Sequence, residues 1–183
     1  MDWEIDFRNG CGALRFGMST AEVSRVIGPP DESRLRHEVE CFGDDEWRDC
    51  TYLHETRSEH GWRECVFLND SLKELHASPM RLPCLTLGGT DVLTLPILSF
   101  IEELDKANSG IGQAQGGSLY FDDIGIAILQ FEVPSIREFV MFAADYDHEE
   151  PLAPVSLAEV KAYYTQTGGH LPDNDLLKPV APS

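Results

Sequence analysis

A short, sharply bounded helix followed by a long stretch of alternating polar and apolar residues dominates the first half of the chain. Ser19-Thr20-Ala21-Glu22 is a capping box, in which a serine and a glutamate satisfy each other's free amides at a helix start. Gly28-Pro29-Pro30 ends this helix, because glycine is favoured at a helix C-terminus and proline cannot continue it. A second box, Ser156-Leu157-Ala158-Glu159, predicts a last helix that ends near Gly168.

The hydrophobic period changes to two after residue 30. Such alternation is typical of strands with one buried face, and Asn69-Asp70-Ser71 marks a turn between two of them. In the second half, Pro96 introduces a helix that ends at Asn108-Ser109-Gly110, and the glycine-rich stretch 110–117 is interpreted as a flexible connection. The predicted strands cover 38–43, 50–57, 63–68, 72–77, 81–87, 118–121, 124–131 and 137–144.

These patterns predict an α+β fold in which an antiparallel sheet carries two or three helices on one face. The order of helix and then strands occurs twice, so the fold could be a tandem of two such units. The predicted organisation is a first α+β unit at 1–79, a second at 80–150, a C-terminal helix at 151–169 and a loose tail at 170–183. We expect the units to pack as one globule.

The chain carries a net charge of −18, from 32 acidic and 14 basic side chains. A chain this acidic is repelled by nucleic acid and by anionic membranes, and its sequence contains no basic patch. The charge favours either solubility alone or a basic protein partner. No apolar run reaches the roughly 20 residues of a membrane span. The first ten residues lack a secretion signal's apolar stretch, so we expect a cytoplasmic protein.

The segment 14–30 combines a strand, a Gly-Met-Ser helix start and a Gly-x-Pro stop. It resembles the module of the β-lactamase inhibitory proteins and of small outer-membrane assembly lipoproteins, and similar modules occur among bacterial immunity proteins. The resemblance implies a protein that neutralises a toxin by docking through its sheet. Because the chain shows no secretion signal and no lipid-modified cysteine, we expect a toxin that acts in the cytosol.

Two acidic segments that also carry aromatic residues form the candidate partner-binding surface. Aromatic side chains anchor binding hot spots, and flanking carboxylates attract a basic partner. The alternative is that Trp47 and Trp62 are core or cover residues. The candidates are Asp44, Asp45, Glu46, Trp47, Asp49, Glu55, Glu59 and Trp62 in the first segment, with Tyr146 and Asp147 in the second.

No pattern indicates a catalytic residue, a metal or a cofactor. His54-Glu55 and His60 lack the spacing of the His-Glu-x-x-His zinc motif. The five cysteines contain no Cys-x-x-Cys pair, so we interpret them as buried residues in a reducing compartment, with a reactive thiol or zinc ligand as the alternative. We therefore expect an immunity or inhibitor protein. The alternatives are a small enzyme with an unrecognised pocket and an acidic housekeeping or regulatory subunit.

Overall fold

The computed structural model describes residues 3–42, 46–58, 62–77, 84–109, 112–115, 118–129, 138–144 and 153–167. In this part of the chain there are three helices: α1 (Thr20–Ile27), α2 (Ile97–Ala107) and α3 (Leu157–Thr167). With two mainly antiparallel sheets beside them, they confirm the predicted α+β class.

The strands divide between a small and a large sheet. The small sheet contains β1 (Trp3–Asp6), β2 (Gly10–Cys11), β3 (Leu14–Arg15), β8 (Leu85–Leu87) and β9 (Thr90–Asp91). The large sheet is antiparallel throughout. Its strands are β4 (Glu32–Phe42), β5 (Glu46–Arg57), β6 (Trp62–Leu68), β7 (Ser71–Ala77), β10 (Gly112–Gln115), β11 (Ser118–Phe121), β12 (Ile126–Leu129), β13 (Glu138–Phe142) and β14 (Ala153–Val155).

Both predicted units contribute to the large sheet. Its order is β14-β10-β11-β12-β13-β7-β6-β5-β4, with β7 and β13 paired at the junction so that Val140 lies opposite His76. From this junction the strands run outward as β6, β5, β4 on one side and as β12, β11, β10 on the other, which is a symmetric order. The small sheet departs from this symmetry because β1 and β8 pair in parallel.

The three helices pack on one face of the large sheet. Their buried side chains share a single cluster with strand residues that include Phe67 and Phe139. A smaller cluster of Ala127, Val140 and Phe142 lies on the opposite face. The apolar stripe of each helix therefore covers the same side of the sheet, as expected for helices on a half-buried antiparallel sheet. The helix residues concerned are Val23, Ile27, Phe100, Ile101, Leu104, Val160, Tyr163 and Tyr164.

The capping chemistry is as predicted, whereas one predicted loop is wrong. The Ser19 hydroxyl accepts a hydrogen bond from the Glu22 amide at 3.3 Å, and the Glu22 carboxylate accepts one from the Ser19 amide at 2.8 Å. The predicted flexible connection at 110–117 instead contains β10, which pairs with β11 and β14. Pairing on both edges supplies the stability that the sequence Gly-Gln-Ala-Gln, with little preference for a strand, does not. The predicted tail and the acidic linker at 145–150 lie outside the described residues.

Candidate interaction surface

The hairpin formed by β4 and β5, which we call the ribbon, extends beyond the rest of the large sheet. Its two strands pair over eleven positions. The next strand, β6, pairs with β5 only between Tyr52 and Arg57. Among the described residues, the part of the ribbon nearer its turn, 38–42 paired with 46–50, has no third strand. Over this length the ribbon therefore continues as a two-stranded hairpin beyond the strand that flanks its base.

A turn of the neighbouring hairpin holds the base of the ribbon. Asn69 and Asp70, between β6 and β7, have left-handed φ angles of 50° and 60°, as a two-residue hairpin turn requires. The Asn69 amide donates a hydrogen bond to the Thr51 carbonyl at 2.9 Å, and its side-chain oxygen accepts one from the Thr51 amide at 3.1 Å. The ribbon is thus fixed at the point where its third strand ends.

Two large apolar side chains on β4 are exposed to solvent. Leu35 and Val39 each have a relative exposure of 61%. They are four residues apart, so they lie on the same face of the strand. Leu35 pairs with Leu53, which packs against the main core, and Val39 pairs with the exposed Asp49. An apolar pair beside a carboxylate is therefore accessible on the face that carries the helices elsewhere.

Leu35 lies outside the strand predicted from the sequence, which begins at Glu38, whereas β4 begins at Glu32. The alternation that runs from Glu32 was present in the sequence, but four charged residues within seven positions masked it. Two contacts order these polar side chains. Arg36 forms an ion pair with Glu38, and His37 Nδ1 lies 3.1 Å from Thr51 Oγ1.

Three predicted binding residues lie on the extended part of the ribbon. Glu46 and Trp47 are on β5 opposite Phe42 and Cys41, and Asp49 follows them on the same strand. The structure therefore places these three positions at the far end of the ribbon. Five further predicted residues lie outside the described residues: Asp44, Asp45, Glu59, Tyr146 and Asp147.

Trp62 is a core residue, so its predicted place on an exposed surface is corrected. Its side chain is fully buried and meets Trp3 edge to face, with ring centroids 4.9 Å apart. It lies on β6 in the cluster beneath the helices. The aromatic ring therefore stabilises the fold and cannot reach a partner.

Glu55 is also buried, and the same correction applies to it. It forms an ion pair with Arg57, and both residues are less than 5% exposed. Arg57 also donates hydrogen bonds to the Gly28 carbonyl and, at 3.1 Å, to the Ser24 hydroxyl. The pair therefore joins β5 to α1. The signal in the sequence was two opposite charges two positions apart in a strand, a spacing that places them on one face.

The opposite face of the large sheet holds a shallow cavity of about 150 Å³. His76 Nε2 lies 2.5 Å from Glu74 Oε2 at its edge. This volume is below the roughly 300 Å³ of a typical ligand pocket. The cavity is therefore small for a ligand site, and the exposed ribbon is the better candidate for a functional surface. Its lining residues are Glu74, His76, Tyr120, Ala127, Leu129, Val140 and Phe142.

Burial suppresses the reactivity of two cysteines. It raises the pKa of the thiols of Cys11 and Cys65 to about 12. Glu4 adds to the rise at Cys11, whereas the charge of Arg57 opposes it at Cys65. Because the thiolate is the nucleophile, both side chains are protonated and inert at neutral pH. Neither thiol can therefore serve as the reactive cysteine considered from the sequence.

His54 and Glu55, which begin the imperfect zinc pattern, do not share a face. His54 Nδ1 lies 3.1 Å from the Glu64 carboxylate on β6, whereas Glu55 is buried with Arg57. His60 lies outside the described residues. Within the part of the chain that the structure describes, no three His, Cys, Asp or Glu side chains form a group that could hold a metal ion.

Comparison of the chain with protein families, with curated proteins and with solved structures yields no match. In the described ranges, no helix has the length and apolar character needed to cross a membrane.

Proposed function

We propose that this protein is a cytoplasmic immunity or inhibitor protein that binds a basic bacterial toxin through the ribbon. The carrying observation is the exposure of Leu35 and Val39 beside Asp49 on a hairpin that extends beyond its sheet. Exposed apolar residues are ordinary when they are scattered. Leu35 and Val39 are not scattered: within the described residues they make up the exposed large apolar side chains, and both lie on the same face of β4. This arrangement suits a protein contact.

Charge supports a basic partner. The net charge of −18 would steer a positively charged domain toward the protein, and association rates rise by roughly 10 to 10³ with such steering. Once the partner is near, the ribbon offers apolar contact from Leu35 and Val39, with the exposed carboxylate of Asp49 beside Val39. An apolar centre with a charged rim is the usual arrangement of a specific protein interface.

The mechanism that we propose is occlusion of the toxin's active site. Toxins that act on nucleic acid need a positively charged cleft to hold the phosphate backbone. The carboxylates at positions 46 and 49 of β5, together with those that the sequence has at 44 and 45, would occupy that cleft in place of the substrate. Inhibition would then be steric and electrostatic and would need no chemistry from this chain.

The test is quantitative capture from native cell extract with three versions of the protein as bait. The first is the wild type, and the second carries Asp44→Lys, Asp45→Lys and Glu46→Lys. The third, a matched control, carries Glu103→Lys, Asp105→Lys and Asp123→Lys, which change the net charge equally at positions away from the ribbon. Bound proteins are eluted with rising salt and identified by mass spectrometry.

We expect a basic protein to bind the wild type and the control at similar salt, and to bind the ribbon variant at least about tenfold more weakly. Replacing Leu35 and Val39 with serine should weaken the same complex with no change in net charge. Equal loss of binding in the ribbon variant and the control would mean that only overall charge matters. Unchanged binding in both would place the contact elsewhere.

The enzyme alternative has less support from the described residues. Cys11 and Cys65 are buried and protonated, and the cavity beside His76 is small. The regulatory-subunit alternative predicts that the basic protein captured by the wild type is not a toxin, which the identification itself decides.

A further inference from the structure

We propose that the protein forms a two-fold symmetric dimer in which β4 pairs antiparallel with β4 of a second copy. This inference goes beyond the proposed function and does not depend on it, because it concerns purified protein without any partner. It rests on three properties of β4: a free and exposed edge, a self-complementary order of side chains, and a balanced local charge.

The first property is the free edge. β4 is the last strand of the large sheet, and in the described chain no strand pairs with its outer side. It is eleven residues long, and positions 32–37 and 39 are exposed. An edge strand presents a row of backbone amides and carbonyls that can pair with another strand. Natural proteins usually shorten, bend or cover such an edge, and the register of β4 with β5 is continuous over its full length.

The second property is the order of residues around His37. The segment 34–40 reads Arg-Leu-Arg-His-Glu-Val-Glu. When two copies pair antiparallel with His37 opposite His37, residue numbers across the pair sum to 74. Arg36 then lies opposite Glu38, and Leu35 lies opposite Val39. Position 40, a glutamate in the sequence, lies opposite Arg34.

Within the segment 34–40, each arginine therefore meets a glutamate, and the two exposed apolar residues meet each other. Cross-strand pairs of opposite charge stabilise antiparallel strands, and like charges directly opposite destabilise them. The exposed Leu35 and Val39 of both copies would form one apolar patch across the two-fold axis. Alternate residues of a strand direct their backbone N–H and C=O groups toward the same edge. Because this register pairs odd-numbered with odd-numbered and even-numbered with even-numbered positions, the residues that direct these groups outward always meet each other across the dimer.

The third property is local charge. The chain as a whole is strongly acidic, which opposes self-association, but the segment 34–40 carries two arginines and two glutamates and is balanced. At about 0.15 M salt the Debye length is about 8 Å. The charges elsewhere are then largely screened, whereas directly opposed pairs are in contact. The existing ion pair of Arg36 with Glu38 within one strand would become part of a four-charge cluster in the dimer.

The test is sedimentation of four purified proteins over a range of concentrations at fixed salt. They are the wild type, Arg36→Glu, Glu38→Arg and the double variant Arg36→Glu/Glu38→Arg. Each single variant places like charges opposite each other across the two-fold axis, and the double variant restores opposite charges with the polarity exchanged. Both positions are on a solvent-facing strand, and circular dichroism will verify that all four proteins fold.

We expect the wild type and the double variant to dimerise with similar affinity, and each single variant to lose at least about tenfold in affinity. The Glu38→Arg result is decisive, because this change makes the chain less acidic and would strengthen association if net charge alone controlled it. A wild type that stays monomeric at about 1 mM would overturn the proposal. So would a double variant that stays as weak as the single ones.

A cross-linking experiment tests the register. His37→Cys places two thiols opposite each other at the symmetry axis. Directly opposite residues of paired strands have Cβ atoms about 4.5 to 5.5 Å apart, and a small shift brings them to the roughly 3.5 to 4.5 Å of a disulfide. We expect this variant to form a covalent dimer under mild oxidation, well above the wild-type background. Glu32→Cys, whose opposite position is Phe42, should not exceed that background. Equal cross-linking of both variants would contradict the register.

Discussion

Glu55 and Arg57 form an ion pair inside the protein, between the ribbon and the helix that precedes it. Arg57 is 1% exposed and reaches across to the Gly28 carbonyl and the Ser24 hydroxyl. Hydrogen bonds from the charged Arg57 side chain therefore connect β5 of the ribbon to α1 and to the residue that follows it. This attachment gives the extended part of the ribbon a rigid support, which a recognition surface needs.

Removing one member of this pair should destabilise the protein. Glu55→Ala leaves the Arg57 guanidinium buried without its counter-charge, and such a change costs about 3 to 5 kcal/mol in the free energy of unfolding. The double variant Glu55→Leu/Arg57→Met should cost less, because it leaves no buried charge. Urea denaturation measures both. The matched control is Arg36→Ala, which breaks an ion pair exposed to solvent and should cost less than about 1 kcal/mol. A loss for Glu55→Ala no larger than that of the control would contradict the buried pair.

Two of the three tryptophans should be shielded from solvent. Trp3 and Trp62 are buried and contact each other at 4.9 Å between ring centroids. In a Trp47→Phe variant, only these two remain, so we expect blue-shifted fluorescence and little quenching by acrylamide until the protein unfolds. Trp62→Ala should cost about 3 to 5 kcal/mol through the cavity that it leaves. Efficient quenching in the folded Trp47→Phe variant would show that Trp3 or Trp62 is accessible and would contradict their burial against each other.

Cys11 and Cys65 should resist alkylation in the folded protein. Both thiols are buried, with pKa values raised to about 12. Iodoacetamide labelling followed by mass spectrometry should therefore modify them only after denaturation, while the partly exposed Cys84 reacts earlier. Native-state labelling of Cys65 at the rate of Cys84 would count against its burial.

The same two thiols predict a loss of stability at alkaline pH. An unfolded thiol ionises near pH 8.5 to 9, so the unfolded state releases its proton first as the pH rises. The stability from each buried thiol is fully present below about pH 9 and is lost between there and about pH 12, with a slope of about 1.4 kcal/mol per pH unit. Denaturation across this range should show a shallower fall for Cys65→Ala than for the wild type. Identical slopes would mean that Cys65 does not contribute.

Local chemistry made the helices predictable from the sequence. The boxes at Ser19 and Ser156 specify a helix start through residues only three positions apart, and both are present. The Ser156 hydroxyl accepts from the Glu159 amide at 3.3 Å, and the Glu159 carboxylate accepts from the Ser156 amide at 2.7 Å. The Ser156 hydroxyl also lies 2.7 Å from the Glu159 carboxylate, and its hydrogen bond, together with the one from the Ser156 amide, lowers the pKa of the Glu159 carboxyl. Strands with a clear alternation of polar and apolar residues were also predictable, because that pattern is local in the sequence.

Tertiary contacts decided what the sequence could not show. The burial of Glu55 depends on α1, whose Ser24 and Gly28 lie some thirty positions earlier in the chain and accept hydrogen bonds from Arg57. The strand β10 depends on partners on both of its edges, since Gly-Gln-Ala-Gln has little preference for a strand. The exposed pair Leu35 and Val39 was not predicted, because the charged residues between them weaken the apolar alternation of β4. In the described chain this strand pairs with β5 on one edge only.

The central claim, inhibition by occlusion, is tested most directly by titrating the activity of the captured basic partner with this protein. We expect activity to fall linearly and to reach zero at one chain per partner, and the ribbon variant to need at least about tenfold more protein for half inhibition when the partner is held well below the dissociation constant. Full activity in the presence of a saturated complex would contradict occlusion, even if the two proteins bind tightly.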